Sequence, residues 1–195
     1  MIHCIFLAAG SARRFGSNKL LADFRGKPLY RYGLDVLQSA AEEHGDCTLT
    51  VVSRYDEILD DARSRSMEAV FGAESAGGLS FSLRRDIRSL SERGLLHDGD
   101  SLLFLVADQP YLTRETLLRL MDAGNAGALC ACVTDGDPWG NPALFSVSLA
   151  GELLALTGDR GGGAVLRAHG TECVRIPCVF PGELADIDTR EAMDG

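Results

Sequence analysis

The 195-residue sequence has no run approaching the ~20 apolar residues that a membrane-spanning helix needs. Its apolar start, Ile5 to Ala9, is too short for the core of a signal peptide and has no basic segment before it, so no leader is expected. Positive charge is scarce as well. The formal net charge is −9 and the sequence pI is near 4.9, which excludes sequence-wide attraction to nucleic acid or to an anionic membrane. Cysteine is limited to six residues with no CxxC, too few for a disulfide scaffold, and free thiols imply a reducing, cytosolic setting. The four histidines, His3, His44, His97 and His169, show neither HExxH nor another metal spacing and are expected at the surface or at strand edges. GxGxxG is missing, since positions 10–15 read GSARRF, and so is GxxxxGK(S/T). Gly78-Leu79-Ser80-Phe81-Ser82 lacks the last glycine of the serine-hydrolase GxSxG. With no linker, repeat or low-complexity tract, residues 1–195 read as one domain.

What is present is a globular composition, 46% hydrophobic and 24% charged, in a chain long enough for a full core. Ile5-Phe6-Leu7-Ala8-Ala9 is short enough for one buried strand and breaks at Gly10. A polar loop with Gly16, Ser17 and Asn18 then leads to Lys19. Six cations (Arg13, Arg14, Lys19, Arg25, Lys27, Arg31) face one acid, Asp23, between Gly10 and Arg31, so this stretch carries 6 − 1 = +5 inside an acidic protein. Successive amides of such a loop can bind an anion. The loop therefore reads as a phosphate site, or as a surface loop whose arginines are merely solvated.

Further along, Pro28 to Glu42 is predicted as a helix, with Pro28 in its first position and Leu29, Tyr32, Val36, Leu37 and Ala40 on one face. Strands are expected at Cys47–Ser53, Glu68–Phe71, Ser101–Ala107, Leu129–Val133, Pro142–Phe145 and Cys173–Val179. Helices are expected at Asp56–Arg65, from Leu79 to Leu90, at Arg114–Ala123 under a Thr113 cap and from a Ser148 cap through Leu156; a glycine-rich turn, Gly158 to Gly163, leads into Ala164–Ala168, and a last short helix follows Thr189. Alternating strands and helices over the first two-thirds imply a parallel sheet with helices on both faces and a ligand site at the carboxyl ends of its strands.

Two acidic features carry chemistry at such ends. Asp108 follows the most apolar strand, where a carboxylate must be paired, hydrogen-bonded or bound to a cation. It reads as a Mg²⁺ ligand or as a turn or helix cap near Thr113. Asp186 and Asp188 flank Ile187 and share a side if extended, giving a second metal ligand or caps for the helix at Thr189. A phosphate loop, a metal carboxylate and no evident general base suit phosphoryl or nucleotidyl transfer. Cys130 and Cys132 alternate on a strand and read as small core residues. Trp139 reads as a stacking platform or as a cover for the core edge.

These residues resemble the MobA-like nucleotidyltransferases and, within them, the molybdenum cofactor cytidylyltransferases. The resemblance runs through LAAGSARRFGSNKLL (7–21), GKPL (26–29), GLSFSL (78–83), VADQPYLT (106–113), GNPALF (140–145), GDRGGGAVL (158–166) and DIDT (186–189). It implies a Rossmann-like three-layer α/β/α sandwich with a mostly parallel sheet, of the nucleotide-diphospho-sugar-transferase type. About 1–110 would form the nucleotide-binding half and about 111–195 the acceptor-binding half. The implied reaction is Mg²⁺-dependent transfer of CMP from CTP to the phosphate of molybdopterin, with pyrophosphate released and a molybdoenzyme as a further implied client. Ala8, Ala9 and Gly10 would line the base and ribose, Gly78 and Ser82 would contact the cytosine side, and Arg14 and Lys19 would hold the triphosphate. Asp108, with Asp186 or Asp188, would hold magnesium, and Asn141 and Asp159 would meet the acceptor. Relatives that use GTP tend to read LAGG, so Ala9 of LAAG points to CTP. Two departures from the cytidylyltransferase pattern, Asn141 where GHP is usual and Gly163 where an arginine is usual, fall in the acceptor half. Alternatives are a sugar phosphate or other alcohol phosphate as acceptor, or a non-catalytic partner that holds the nucleotide or the molybdenum cofactor.

Overall fold

An uninterrupted apolar run makes a strand only where both of its faces can be covered, and Ile2–Ala8 (β1) is buried at every position. A computed structural model describes residues 1–9, 18–72, 79–136, 139–156 and 161–187, without the side chains of 79–82. After β1 come two short paired segments, Asp23–Phe24 (β2) and Lys27–Pro28 (β3), then helix Leu29–His44 (α1), strand Cys47–Ser53 (β4), helix Asp56–Ser64 (α2) and strand Glu68–Phe71 (β5). Helix Leu79–Glu92 (α3), strand Ser101–Val106 (β6), helix Arg114–Asn125 (α4) and strands Cys130–Thr134 (β7) and Ala143–Ser146 (β8) follow. A 3₁₀ turn at Val147–Leu149, helices Ala150–Ala155 (α5) and Gly163–Ala168 (α6), and strand Cys173–Pro177 (β9) complete the described elements.

Seven of these strands form one sheet in the order β5-β4-β1-β6-β8-β7-β9. Every neighbouring pair is parallel except the two made by β8, which runs against both β6 and β7. Alternation along β1 divides the core. Cys4, Phe6 and Ala8 face α1, α2 and α4 on one side, with Leu34, Ile58 and Leu120 among the buried contacts. Ile5 and Leu7 face α3, α5 and α6 on the other, with Ile87, Leu153 and Val165. The result is an α/β/α, Rossmann-like sandwich. Among the described residues no helix is long and apolar enough to cross a membrane.

Local expectations fail where tertiary partners decide. Pro28 precedes α1 as its cap residue and pairs with Asp23, because the short β2–β3 ribbon claims it. The α1 face is rotated toward Tyr30, Gly33, Leu34 and Ala41, while Tyr32 stays half-buried with its hydroxyl donating to the Phe24 carbonyl at 2.7 Å. Ser146, not Ser148, supplies the cap before α5, accepting from the Ser148 amide. Thr113 caps α4 as expected, accepting from the Thr116 amide at 3.2 Å. His3 is buried rather than at a surface, bridging Thr48 Oγ1 (2.9 Å) and Asp100 Oδ2 (3.3 Å), which satisfies both ring nitrogens. Cys130 and Cys132 are core residues, and Trp139 packs at the core edge with the Arg175 guanidinium 5.0 Å from its ring centre. The helix expected after Thr189 lies outside the described residues.

One buried group works against the fold. Asp86 sits on the apolar face of α3 between Leu83 and Ile87, is 2% exposed, and among the described residues neither carboxylate oxygen has a hydrogen-bond partner. Burial pushes its pKa from 3.8 up to about 7; Arg85 opposes the rise and Glu68 adds to it. Between those two values the unfolded chain is ionised while the folded chain keeps the proton. Stability therefore falls as pH rises across that window and levels off above it. We expect Asp86→Asn to be near neutral at pH 4 and stabilising at pH 8, by at most about 4 kcal/mol. Urea melts at the two pH values check this, and a difference that does not change with pH refutes burial as its source.

Candidate active site

Parallel pairing of β1 with β6, from Ile2↔Ser101 to Leu7↔Val106, brings the residues just beyond both strands out side by side. The Ala107 amide continues that pairing by donating to the Leu7 carbonyl at 3.2 Å, and Asp108 comes next. From the other loop the chain is described again at Asn18, whose Oδ1 accepts from the Leu20 amide at 3.1 Å. Leu20 is buried, and its carbonyl accepts from the Tyr30 amide at the start of α1 (3.1 Å). Lys19 is thus fixed on a turn anchored on either side. Its Nζ donates to Asp108 Oδ2 at 3.0 Å, with the two side chains 13% and 25% exposed. Charges so poorly hydrated each need the other.

The third component is the last described segment. The Ile187 amide donates to the Asp108 carbonyl at 3.1 Å, and the Ile187 side chain is buried in the core. Asp186 is therefore carried beside Asp108 and is itself exposed. Two further ties hold this segment in place. Gln109, 6% exposed, donates from Nε2 to the Leu184 carbonyl at 3.2 Å. Glu183 is fully buried; its Oε1 accepts from the Thr113 amide (2.7 Å) and hydroxyl (2.6 Å), and its Oε2 accepts from the Val179 amide (2.7 Å).

At the neighbouring strand ends the backbone is closely knit. The Ser53 hydroxyl donates to the Ala8 carbonyl at 3.0 Å, and the Gly72 amide donates to the Ser53 carbonyl at 2.8 Å. A Cβ at Gly72 would lie 2.9 Å from Val52 Cγ1 and 3.8 Å from the Ala9 methyl, so only glycine lets the chain close up behind Ala9. On the opposite flank, a Cβ at Gly140 would lie 2.0 Å from the Val133 carbonyl oxygen. With its amide oriented to satisfy both partners, Asn141 donates to the Phe104 carbonyl (3.1 Å) and accepts from the Val106 amide (3.2 Å). It stands at the same end of β6 as Asp108.

Ala8, Ala9, Lys19, Asp108, Asn141 and Asp186 thus lie at one edge of the sheet. Arg14, Gly10, Gly78, Asp159 and Asp188, and the Ser82 side chain, lie outside the described residues. Among the described residues, the cations of the +5 stretch do not form one cluster. Lys27 pairs with Asp35 (2.6 Å), Arg31 pairs with Asp61 (3.1 Å), and the Arg25 guanidinium lies 5.1 Å from the Phe24 ring centre. Only Lys19 among the described cations of that stretch meets Asp108. Glu183, Gln109, Ser53 and Gly72 were not singled out from the sequence, because each acts through a partner distant in the chain.

A family model described as the MobA-like NTP transferase domain matches residues 4–173. The chain belongs to that family. It is accordingly a nucleotidyltransferase, and as a MobA-like protein it has relatives of comparable length. Purine catabolism protein PucB of Bacillus subtilis (strain 168) is 28% identical over 97% of this chain and 93% of its own length. A nucleotidyl transferase from Methanothermobacter thermautotroptrophicus superposes with a TM-score of 0.76, at 22% identity over 98% of this chain and 94% of that one. Rv0371c from Mycobacterium tuberculosis H37Rv, solved in complex with manganese, does so with a TM-score of 0.70, at 24% identity over 98% and 95%. The two solved structures show the common fold.

The carboxylates here suit a hard divalent cation. Asp108 and Asp186 offer oxygen donors on adjacent, solvent-accessible segments, and among the described residues no three acidic, histidine or cysteine side chains form a closed cage.

Burial alone would raise the Glu183 pKa, but hydrogen bonds from the Thr113 and Thr116 side chains and from the Thr113 and Val179 backbone hold it below its ordinary 4.5. Its contribution to stability is complete above that value and is lost as pH falls through the depressed one. We expect Glu183→Gln to cost about 1–3 kcal/mol at pH 7. In chemical denaturation the gap to the unsubstituted protein should narrow below pH 4, and a gap that persists there contradicts a role for the ionised carboxylate.

Proposed function

We propose that this MobA-like protein transfers CMP from CTP to the phosphate of molybdopterin in a Mg²⁺-dependent reaction that releases pyrophosphate. The 3.0 Å contact between Lys19 and Asp108 carries the reading, because a cation suited to phosphate and a carboxylate suited to a metal ion meet at one edge of the sheet. An acceptor phosphate oxygen attacks the α-phosphorus of CTP, and the bond from that phosphorus to the bridging oxygen of the β-phosphate breaks. The acceptor is already an anion, so no general base is required. Lys19, with Arg14, binds the triphosphate and offsets the charge that builds on the departing pyrophosphate. Asp108 and Asp186, or Asp188 in place of the latter, would hold the magnesium ion, which when bound supplies charge neutralisation on the phosphoryl oxygens.

Ala8, Ala9 and Gly10 line the base and ribose in this reading, with Gly78 and Ser82 toward the cytosine. The Ala9 methyl, backed by Gly72 and Val52, narrows the room for a purine and supports CTP over GTP. Asn141 and Asp159 face the acceptor, and the Asn141 bonds to the β6 backbone fix that side of the cleft close to Asp108.

Pyrophosphate release, measured with CTP, GTP, UTP and ATP against molybdopterin and a panel of sugar and alcohol phosphates, tests the proposal. CTP with molybdopterin should be the productive pair. Lys19→Ala and Asp108→Ala should each lower that rate by about 10²–10³-fold, the loss typical of one removed charge-stabilising group. Thermal melts of both variants should remain cooperative. Near-normal turnover in either variant sinks the assignment of the site. Release with a different acceptor moves the substrate to that class. A CTP-dependent rise in Tm without pyrophosphate from any acceptor identifies a nucleotide-holding partner instead.

A further inference from the structure

The far end of the sheet carries a second group of reactive side chains that nucleotidyl transfer does not use. Cys47 opens β4 opposite Ile2, while Ala8, at the cleft, pairs with Ser53. Six strand steps separate the two ends, about 20 Å. Cys47 is half-buried, and its Sγ lies 3.4 Å from Nδ1 of His44, the last residue of α1. His44 Nε2 in turn lies 2.6 Å from Asn125 Nδ2 at the end of α4. An amide nitrogen can only donate, so Nε2 is the acceptor and the ring proton sits on Nδ1, aimed at the sulfur. Behind Cys47 lies the fully buried Cys4 of β1.

We propose that Cys47 is a modification site, a nucleophilic thiol oriented by His44 and Asn125 that takes small-molecule disulfides by thiol–disulfide exchange. The Cys47 thiolate attacks one sulfur of the disulfide. A bond forms between Cys47 Sγ and that sulfur, the original S–S bond breaks, and the second half leaves as a thiolate that takes its proton from solvent.

The environment selects this cysteine from the six. The neighbouring Cys4 thiol, then His44, bring the Cys47 pKa down to about 7, against burial and the Asp46 carboxylate. The Asp46 carboxylate also meets the Met1 amine at 3.1 Å. The proton of the pair stays on Cys4, where a charge would be fully desolvated. Burial moves the remaining four the other way: Cys132, Cys173 and Cys178 go up to about 11, and Cys130 is raised as well. An attacking thiol whose pKa lies near ambient pH combines thiolate population with nucleophilicity.

The experiment treats the full chain with glutathione disulfide at pH 7 and maps the adducts by mass spectrometry. Reaction rates with 4,4′-dithiodipyridine are then followed between pH 5.5 and 9.5. One adduct at Cys47 is expected, with a rate midpoint near pH 7 that is absent from Cys47→Ser. His44→Ala should raise the midpoint toward the ordinary thiol value and slow the reaction at pH 7 by roughly tenfold. Asn125→Ala should slow it without removing the Cys47 adduct. Modification that falls first on another cysteine overturns the proposal. So does a Cys47 rate that is the same in His44→Ala and Asn125→Ala as in the unsubstituted protein. Because Cys47→Ser leaves the cleft intact, this outcome is independent of the nucleotide and acceptor.

Discussion

The ion pair between Lys19 and Asp108 is the constraint to which the cleft answers. Neither partner is well hydrated, and a charge held away from water is tolerable only beside its opposite. What makes the pairing possible is the sheet. Two parallel strands hydrogen-bonded along six residues deliver their following loops to the same edge, whatever the intervening ninety residues do. The lysine reaches that edge from a short turn pinned to α1, and the aspartate reaches it from a strand with no polar side chain after Ser101. The edge therefore presents a cation and an anion side by side.

A second set of contacts works at right angles to the strands. Residues 178–187 follow β9 without pairing in the sheet, and they are held through Glu183, Gln109 and the backbone of Ile187. Each of these bonds ends on the stretch 108–113, directly after β6. The turn that follows Asp108, the cap of α4 and the segment bearing Asp186 are therefore one connected polar network. Full burial of Glu183 makes that network all-or-none, since a half-satisfied carboxylate in the interior would be costly.

Much of the fold was legible because apolar periodicity is a local property. Cys47–Ser53 and Glu68–Phe71 have the expected bounds, and the alternation of Cys130 with Cys132 gives one buried face. Asp108 was expected at the carboxyl end of a strand, and it follows β6 there. Orientation of charged side chains was not legible. Lys27 and Arg31 stand close to Lys19 in sequence yet are drawn to Asp35 and Asp61, whose positions depend on how α1 and α2 pack. His3 looked like a strand-edge residue because nothing near it in the chain announces Asp100, ninety-seven residues away. Glu183 gave no signal for a like reason: two of its donors belong to Thr113, the cap of a helix seventy residues earlier.

The reversed strand β8 has a consequence of its own. Running against β6, it begins where β6 ends, so its first residue, Ala143, stands opposite Phe104 near the Asp108 edge of the sheet. The residues that lead into it are pinned there, Gly140 against the Val133 carbonyl and Asn141 on the β6 backbone. Both flanks of this edge are closely packed, at Gly140 against β7 and at Gly72 against Val52 of β4. A side chain at position 140 would have to displace the β7 backbone, so the shape of this edge is tied to the register of the sheet.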